Sequence, residues 1–353
     1  MIQPRLFFSF PAKNRKAFVS GKNAYQPQEG EYLLNHDRSG LLLALKSLGL
    51  PMGSHVGVMA YNCHTVMNAV DQAGFKVRFI DVDENLRMDL EDLRRKKGEL
   101  SALIVSHLFG IANDIDDIKK VCTDIPIVED CAHAFGMRQC GSKGDFAVYS
   151  IGPGKFPSLG DGGILKVNNK VYKAALDRRY AEVPDYSRVQ EWRLFGKLLA
   201  THWLYKPRVY SMVTLPFLKR NNKKIAVAKE PVRVQRMAHG ISALYAMALP
   251  SVDQWLARHR AVSMDLTKLF GGKKDVRVVN DSIEESNCFM FPLYCEQPSA
   301  IKADLRQNGI EAEAHFRHCL IWAKEFGYED GNCPKTEDLL RHLLMVPTYK
   351  KLK

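Results

Sequence analysis

The strongest chemical signal in the chain comes from one acid and one lysine, each set at the end of an apolar run. Asp130 lies in Val128-Glu129-Asp130-Cys131-Ala132-His133-Ala134-Phe135-Gly136. Lys155 lies in Tyr149-Ser150-Ile151-Gly152-Pro153-Gly154-Lys155, followed by Gly160-Asp161-Gly162-Gly163. The approach to the first, Ile125-Pro126-Ile127-Val128, reads as a buried strand, and Phe146-Ala147-Val148-Tyr149 reads as a second strand that runs into a glycine-rich loop. An α/β protein brings side chains together on a site at its strand ends. A lysine that forms a Schiff base, with an acid that keeps a ring nitrogen protonated, is what pyridoxal 5′-phosphate requires of a protein.

These residues need a scaffold, and the pattern around them supplies one. Arg38-Ser39-Gly40 precedes an amphipathic helix that stops at Gly49, and His55–Met59 reads as a strand. A helix from Thr65 to Gly74, a strand from Lys76 to Val82, a helix capped by Asp89 and a strand from Ser101 to His107 follow. Strands alternating with helices to about residue 168 predict a mostly parallel sheet. From about 171 the pattern changes. A helix is expected over Tyr172–Tyr180, residues 191–224 are rich in aromatic and basic side chains, and Arg236–Phe270 forms one or two long helices broken near Pro250. A strand over Phe289–Tyr294, a helix over Ser299–Asn308 and a closing segment, Leu339–Pro347, complete the chain. The expected division is a large cofactor-binding domain over 1–230 and linking helices with a small domain over 231–353.

From about residue 30 to 350, and most strongly from Ala102 to Val167, the chain resembles the DegT/DnrJ/EryC1/StrS sugar aminotransferases, within the fold-type-I pyridoxal-phosphate enzymes. The resemblance implies an aspartate-aminotransferase-like three-layer α/β fold with a mostly parallel central sheet and a smaller carboxy-terminal α+β domain. It also implies a homodimer with shared active sites. Lys155 matches the catalytic lysine, Asp130 the acid at the pyridine nitrogen, and His133 the position beside the ring and its hydroxyl. Ser150 matches a phosphate contact. Arg38, Ser39 and Gly40 are aligned with the Ser-Gly-Thr at a helix start that receives phosphate oxygens. Cys63 aligns with the aromatic residue that covers the ring, with His64 or Tyr61 as stacking alternatives after a small register change. His107-Leu108-Phe109-Gly110 resembles a His-Leu-Tyr-Gly turn and His315-Phe316 a His-Tyr pair, so His107, His315 and Tyr61 are candidate substrate contacts. Asp161 stands for the glutamate of Gly-Glu-Gly-Gly, and Gln235-Arg236-Met237 resembles the Asn-Tyr-Arg-Met element that reaches a neighbouring subunit. Read without the family, Lys155 is an exposed loop lysine, Asp130 a helix cap and His133 a core histidine.

The implied function is transfer of an amino group from glutamate, or glutamine, to a keto group of a nucleotide-linked sugar, in polysaccharide biosynthesis. Two alternatives stay open: an aminotransferase for a non-sugar or lipid-linked ketone, and a non-catalytic binding protein on the same fold. Relatives that remove a sugar hydroxyl carry histidine in place of the lysine, so Lys155 argues against a dehydratase. The 51 basic and 39 acidic residues give a formal charge of +12, which suits a diphosphate, a nucleic acid or an anionic membrane face. No helix-turn-helix or zinc-finger pattern points to specific nucleic-acid binding. The eight cysteines lack close ligand spacing, so no metal site is expected, and reduced thiols fit a cytoplasmic protein. In residues 191–224 aromatic and positive residues alternate, as in segments that rest weakly on an acidic inner membrane face, although a subunit contact or a substrate cover explains the same composition.

Overall fold

The computed structural model describes residues 9–217 and 229–349. The last part of the basic aromatic segment, residues 218–224, lies outside them. Chain order begins with α1 (Ala12–Ser20), β1 (Glu31–Leu34), α2 (Asp37–Ser47), β2 (His55–Met59), α3 (His64–Gln72), β3 (Lys76–Ile80) and α4 (Leu90–Lys96). It continues with β4 (Ala102–Ser106), α5 (Ile115–Val121), β5 (Ile127–Asp130), β6 (Phe146–Ser150), β7 (Gly163–Val167), α6 (Lys173–Ala181) and α7 (Arg188–Leu204). Then come α8 (His239–Ala248), α9 (Val252–Phe270), β8 (Val276–Val278), β9 (Met290–Cys295), α10 (Pro298–Gln307), α11 (Cys319–Lys324), α12 (Pro334–His342) and β10 (Leu343–Pro347).

Among the described residues the first seven strands form one sheet in the order β1-β7-β6-β5-β4-β2-β3. Strands β3, β2, β4, β5 and β6 run parallel, and β7, paired antiparallel to both β6 and the edge strand β1, runs against them. The mostly parallel sheet expected from the strand–helix alternation is therefore present. Side-chain alternation explains its layers. Val56, Val58, Ile104, Val128 and Val148 face the core under α2 and α3, while Met59, Leu103, Val105 and Ile127 face the opposite core, which includes residues of α8 and the start of α9. Every residue of β4 and β5 is buried, as strands covered on both faces must be. A three-stranded antiparallel sheet, β10-β9-β8, packs Phe291, Leu293 and Val346 against Val262, Leu266 and Phe270 of α9.

The expected helix break is present: Pro250 sits in a tight turn, Leu249–Ser251, between α8 and α9. α7 starts with a reciprocal cap, in which Ser187 Oγ accepts from Gln190 N and Gln190 Oε1 accepts from Ser187 N. Its Leu194 and Leu198 are buried, and Phe195 packs on Phe10 and Phe18 at ring distances of 5.7 and 5.6 Å. Trp192, edge-on to Phe195 at 5.7 Å, and Trp203 stay exposed, with Lys206 Nζ 3.5 Å from the Trp203 ring. No helix among the described residues is long and apolar enough to cross a membrane.

Glu129 and Asp130 point to opposite faces of β5. Glu129 is fully buried, yet its oxygens accept from His107 Nε2 at 3.0 Å and from the backbone amides of Gly141, Lys143 and Gly144 at 2.7, 2.8 and 2.5 Å. Cys131 completes a cluster of three metal-ligand types here, but the carboxylate is already saturated by N–H donors. Burial opposes the charge of His107, and Asn113 N donates to its Nδ1 at 3.0 Å, so the ring is held neutral with its one proton on Nε2 toward Glu129. Glu129 is held below its ordinary value: burial raises it, and the bonds from His107 and the amides overcome that. A glutamate lowered in this way contributes stability that is present above its ordinary range and lost as pH falls through its lowered value. Thermal unfolding should therefore show stability declining as pH falls below the ordinary carboxylate range. Glu129→Gln should cost about 3–5 kcal/mol, the scale for disrupting a buried charge and its partners, and flatten that acid limb. A variant with the parent's stability and slope would contradict the assignment.

Candidate active site

Lys155 follows β6 and stands between two openings. One is a narrow polar cleft of about 20 Å³, lined by Asp37, Cys63, Ser106, Asp130, His133 and Phe316 among others. The other is a wider, largely apolar pocket of about 440 Å³. Parallel pairing of β4 with β5 and of β5 with β6 puts Ser106 and Asp130 side by side, with Val148 opposite Asp130 on the next strand.

Asp130 is buried in the polar cleft without a salt-bridge partner among the described residues. Its Oδ2 accepts from Ser106 Oγ at 2.8 Å, and its Oδ1 accepts from Ala132 N at 3.1 Å. Asn62 Nδ2 in turn donates to Ser106 Oγ at 2.9 Å, which fixes the serine as a donor toward the carboxylate. Burial pushes the Asp130 carboxyl above its ordinary range, and Asp37 adds to the rise, while Lys155 and the two hydrogen bonds oppose it. Such a group gains most from a positive N–H brought into the cleft.

His133 lies between Phe109, Phe316 and Phe289, with ring centroids 5.0, 5.9 and 4.9 Å away. Burial, and then the charges of Lys155 and His315, hold it well below its ordinary value, so the ring is neutral at pH 7. Phe109 N donates to His133 Nδ1 at 3.3 Å, which leaves the ring proton on Nε2. Nε2 is 2.9 Å from Lys155 Nζ. This contact holds Lys155 Nζ at the cleft, where a lysine amine can act as a nucleophile.

The structure assembles Asp130, His133, Lys155 and Cys63 at one cleft and corrects several other expectations. α2 begins at Asp37, with His36 as its cap, so the residue of the helix start that lines the cleft is Asp37, and none of Arg38, Ser39 and Gly40 does. Ser39 is buried and donates to Asn35 Oδ1 at 2.8 Å, and Gly40 packs against Val148, where an added Cβ would lie 3.0 Å from Cγ1. Neither lines the cleft. His64 turns its ring onto Trp322 at 4.6 Å, and Tyr61 is buried, donating to the His315 carbonyl at 2.5 Å, so neither covers the cleft. His107 also lines the cleft, with both ring nitrogens engaged, by Glu129 and by Asn113 N at 3.0 Å. His315 packs edge-on to Phe316 and Phe109 at 4.3 and 5.3 Å, within reach of His133. Ser150 is buried at the end of β6. Gln235-Arg236-Met237 bonds within its own chain: Arg236 N donates to Pro184 O, and Met237 N donates to Leu33 O.

Three contributors escaped the sequence reading. His36 Nδ1 is 2.8 Å from Asp161 Oδ1, and Tyr186 donates to Asp161 Oδ2 at 2.9 Å, which ties the start of α2 to the loop after Lys155. Asp37 faces the cleft from the first residue of the helix. Counting back four residues from the Leu41-Leu42-Leu43 run would have placed it there.

At the ring end these residues fit pyridoxal 5′-phosphate: a buried acid in need of a positive partner, a lysine amine and a flat histidine share one narrow cleft. The opposite end carries an adverse charge, because Asp37 occupies the helix start that would otherwise attract phosphate. Fold and site together present the residue types that a pyridoxal-phosphate enzyme requires. The chain belongs to the DegT/DnrJ/EryC1/StrS aminotransferase family, whose model matches residues 35–198 and 208–353, and its cofactor is pyridoxal 5′-phosphate.

GDP-perosamine synthase from Vibrio cholerae is 29% identical over 139 residues, a match covering 37% of this chain and 38% of that protein. The chain thus matches well under half the length of that relative. A pleiotropic regulatory protein from Geobacillus stearothermophilus is 24% identical over 326 residues, covering 88% of this chain and 77% of that one. The aminotransferase TlmJ from Streptoalloteichus hindustanus shares the fold with a TM-score of 0.74 at 20% identity, over 98% of this chain and 92% of that chain.

Replacing Asp37 with glycine removes a negative charge from the helix end and should tighten cofactor binding about tenfold, the ratio given by 1.4 kcal/mol. Titration of the lysine-dependent visible band with pyridoxal 5′-phosphate measures this directly. Unchanged or weaker binding would contradict the adverse role of Asp37.

Proposed function

We propose that the protein moves an amino group from glutamate, or glutamine, to the keto carbon of a nucleotide-linked sugar, working as a homodimer. The observation that carries this reading is the Lys155 amine, set 2.9 Å from a neutral His133 where a polar cleft meets a larger pocket. The names of several relatives support the substrate class, among them GDP-perosamine synthase and a dTDP-3-amino-3,4,6-trideoxy-alpha-D-glucose transaminase. Residues 1–230 would form the cofactor-holding body, with 231–353 as linking helices and small domain.

When bound, pyridoxal 5′-phosphate supplies an aldehyde that exchanges nitrogen with amines and ketones, and a ring that withdraws electrons from the reacting carbon. The chain's own residues would do the rest. Asp130, oriented by Ser106 and relieved of its burial cost by a positive ring N–H, holds the proton on that nitrogen. Lys155 Nζ serves as nucleophile and then carries the proton to and from the substrate carbon. His133, fixed by the Phe109 amide, keeps the amine pointed into the cleft, and Phe109 and Phe316 keep water from the imidazole. Cys63 takes the place of a stacking aromatic and leaves the cleft roomier on that side. Its thiol is pushed up by burial, which outweighs Lys155, so it stays protonated and is not a competing nucleophile.

Mixing the protein, loaded with pyridoxal 5′-phosphate, with glutamate should bleach its visible band and release one equivalent of 2-oxoglutarate per site. Lys155→Ala should lose both signals, and Asp130→Asn should slow the release by about 10²-fold or more, within the range for a group acting in proton transfer. A parent band that glutamate and glutamine both leave unchanged would sink the aminotransferase reading.

A further inference from the structure

The exposed positions of α7 carry side chains that a surface helix ordinarily buries. Leu194 and Leu198 are already turned inward, and Phe195 packs on Phe10 and Phe18, so the helix has its buried stripe. The rest should be polar, yet Val189, Trp192, Trp203 and Leu204 are 61, 61, 54 and 42% exposed. A period of 3.6 residues sets Trp192 and Trp203 about 20° apart around the axis and roughly three turns apart along it. The chain continues in helical turns over residues 207–217, where Met212, Val213 and Phe217 are exposed while Tyr210, Thr214 and Leu215 are buried. Thr214 Oγ1 donates to the Leu204 carbonyl at 2.8 Å, which holds these turns against the end of α7. Among the described residues no tryptophan or phenylalanine outside this segment is exposed. Single exposed apolar residues need no explanation, but seven large ones gathered in one segment do.

The charge of the segment is equally one-sided. Between residues 187 and 217 stand Arg188, Arg193, Lys197, Lys206 and Arg208 against one acid, Glu191. That acid is engaged within the fold: it accepts from His239 N at 2.9 Å and lies 3.3 Å from His239 Nδ1. Arg193, Lys197 and Arg208 are exposed among the apolar side chains, and Lys206 Nζ already rests over the Trp203 ring. α1, packed on α7 through Phe18, adds Lys13, Arg15 and Lys16 and no acid. The family model passes over residues 199–207, where Trp203 and Lys206 lie, so this surface is not part of what that model describes. A second copy of the chain suits it poorly, because a two-fold contact centred here would set like charges against each other. Indoles and apolar side chains interleaved with cations suit an anionic bilayer, whose headgroup layer takes the rings and whose phosphates take the cations.

We propose that the exposed side of residues 188–217 rests on an anionic lipid bilayer. Trp192, Trp203, Met212 and Phe217 enter the headgroup layer, and Arg193, Lys197 and Arg208 meet lipid phosphates. The contact is peripheral, since no described helix is long and apolar enough to cross a membrane. It stands apart from the aminotransferase reading, because none of these residues lines either opening at Lys155.

Co-sedimentation of the full-length protein, loaded with pyridoxal 5′-phosphate, with lipid vesicles tests it. Vesicles of phosphatidylglycerol and phosphatidylcholine in equal parts should carry the protein down, vesicles of phosphatidylcholine alone should not, and added salt should release it. Arg193→Gln, Lys197→Gln and Arg208→Gln together should weaken binding about a hundredfold. The same change at Arg94, Lys119 and Lys120, exposed on α4 and α5, removes equal charge elsewhere and should weaken it less than about twofold. Trp203→Ala should weaken binding about tenfold. Circular dichroism matching the parent's shows that each variant is folded, and sedimentation velocity without vesicles reports its assembly. Equal binding to neutral and anionic vesicles, equal losses in the two triple variants, or a Trp203→Ala protein that binds like the parent would each overturn the proposal. So would a Trp203→Ala protein that dissociates in solution, which would make this surface a contact between copies of the chain.

Discussion

A carboxylate buried at the end of a central parallel strand must find a positive partner or give up its charge, and this constraint at Asp130 organises the rest of the site. The strand cannot be moved, because every residue of β5 is buried between two layers of helices. The neighbouring strand supplies Ser106, and Asn62 after β2 holds that serine in the donating orientation. Lys155 lowers the cost but makes no ion pair with the acid, and Asp37 raises it. The protein therefore presents a cleft whose buried acid lacks a salt-bridge partner among the described residues, and a cationic ring nitrogen would supply one.

The same sheet that isolates Asp130 isolates Glu129 one residue earlier, with the opposite outcome. Glu129 is satisfied on the far face by His107 and three backbone amides, and that network ties together β4, β5 and the turn leading into β6. Adjacent acids on one strand thus divide the work, one holding the scaffold and the other left under-compensated for chemistry. The period of two along a strand is sufficient to produce this separation.

Much of this was legible in the chain. Asp130, His133 and Lys155 fall in short segments whose apolar approach and glycine content declare strand ends, and the alternation of strands and helices implies the parallel sheet. The start of α2 was misplaced because Ser39 and Gly40 look like a helix cap. In the fold the serine bonds to Asn35 and the glycine lets the helix approach Val148, both tertiary demands that local pattern does not reveal. The role of His107 depended on Glu129, distant in sequence, and the aromatic enclosure of His133 draws on Phe109, Phe289 and Phe316 from three separate parts of the chain. Contacts of that kind follow from topology and not from spacing.

The central claim is that the Lys155 amine, and no other of the chain's many lysines, is the group that engages the cofactor. Borohydride reduction of the protein in the presence of pyridoxal 5′-phosphate, followed by digestion and peptide mass spectrometry, locates the lysine that becomes covalently fixed. The account predicts a single modified peptide containing Lys155, formed at close to one equivalent per chain. Label spread over surface lysines, or concentrated on a lysine outside the cleft, would contradict it.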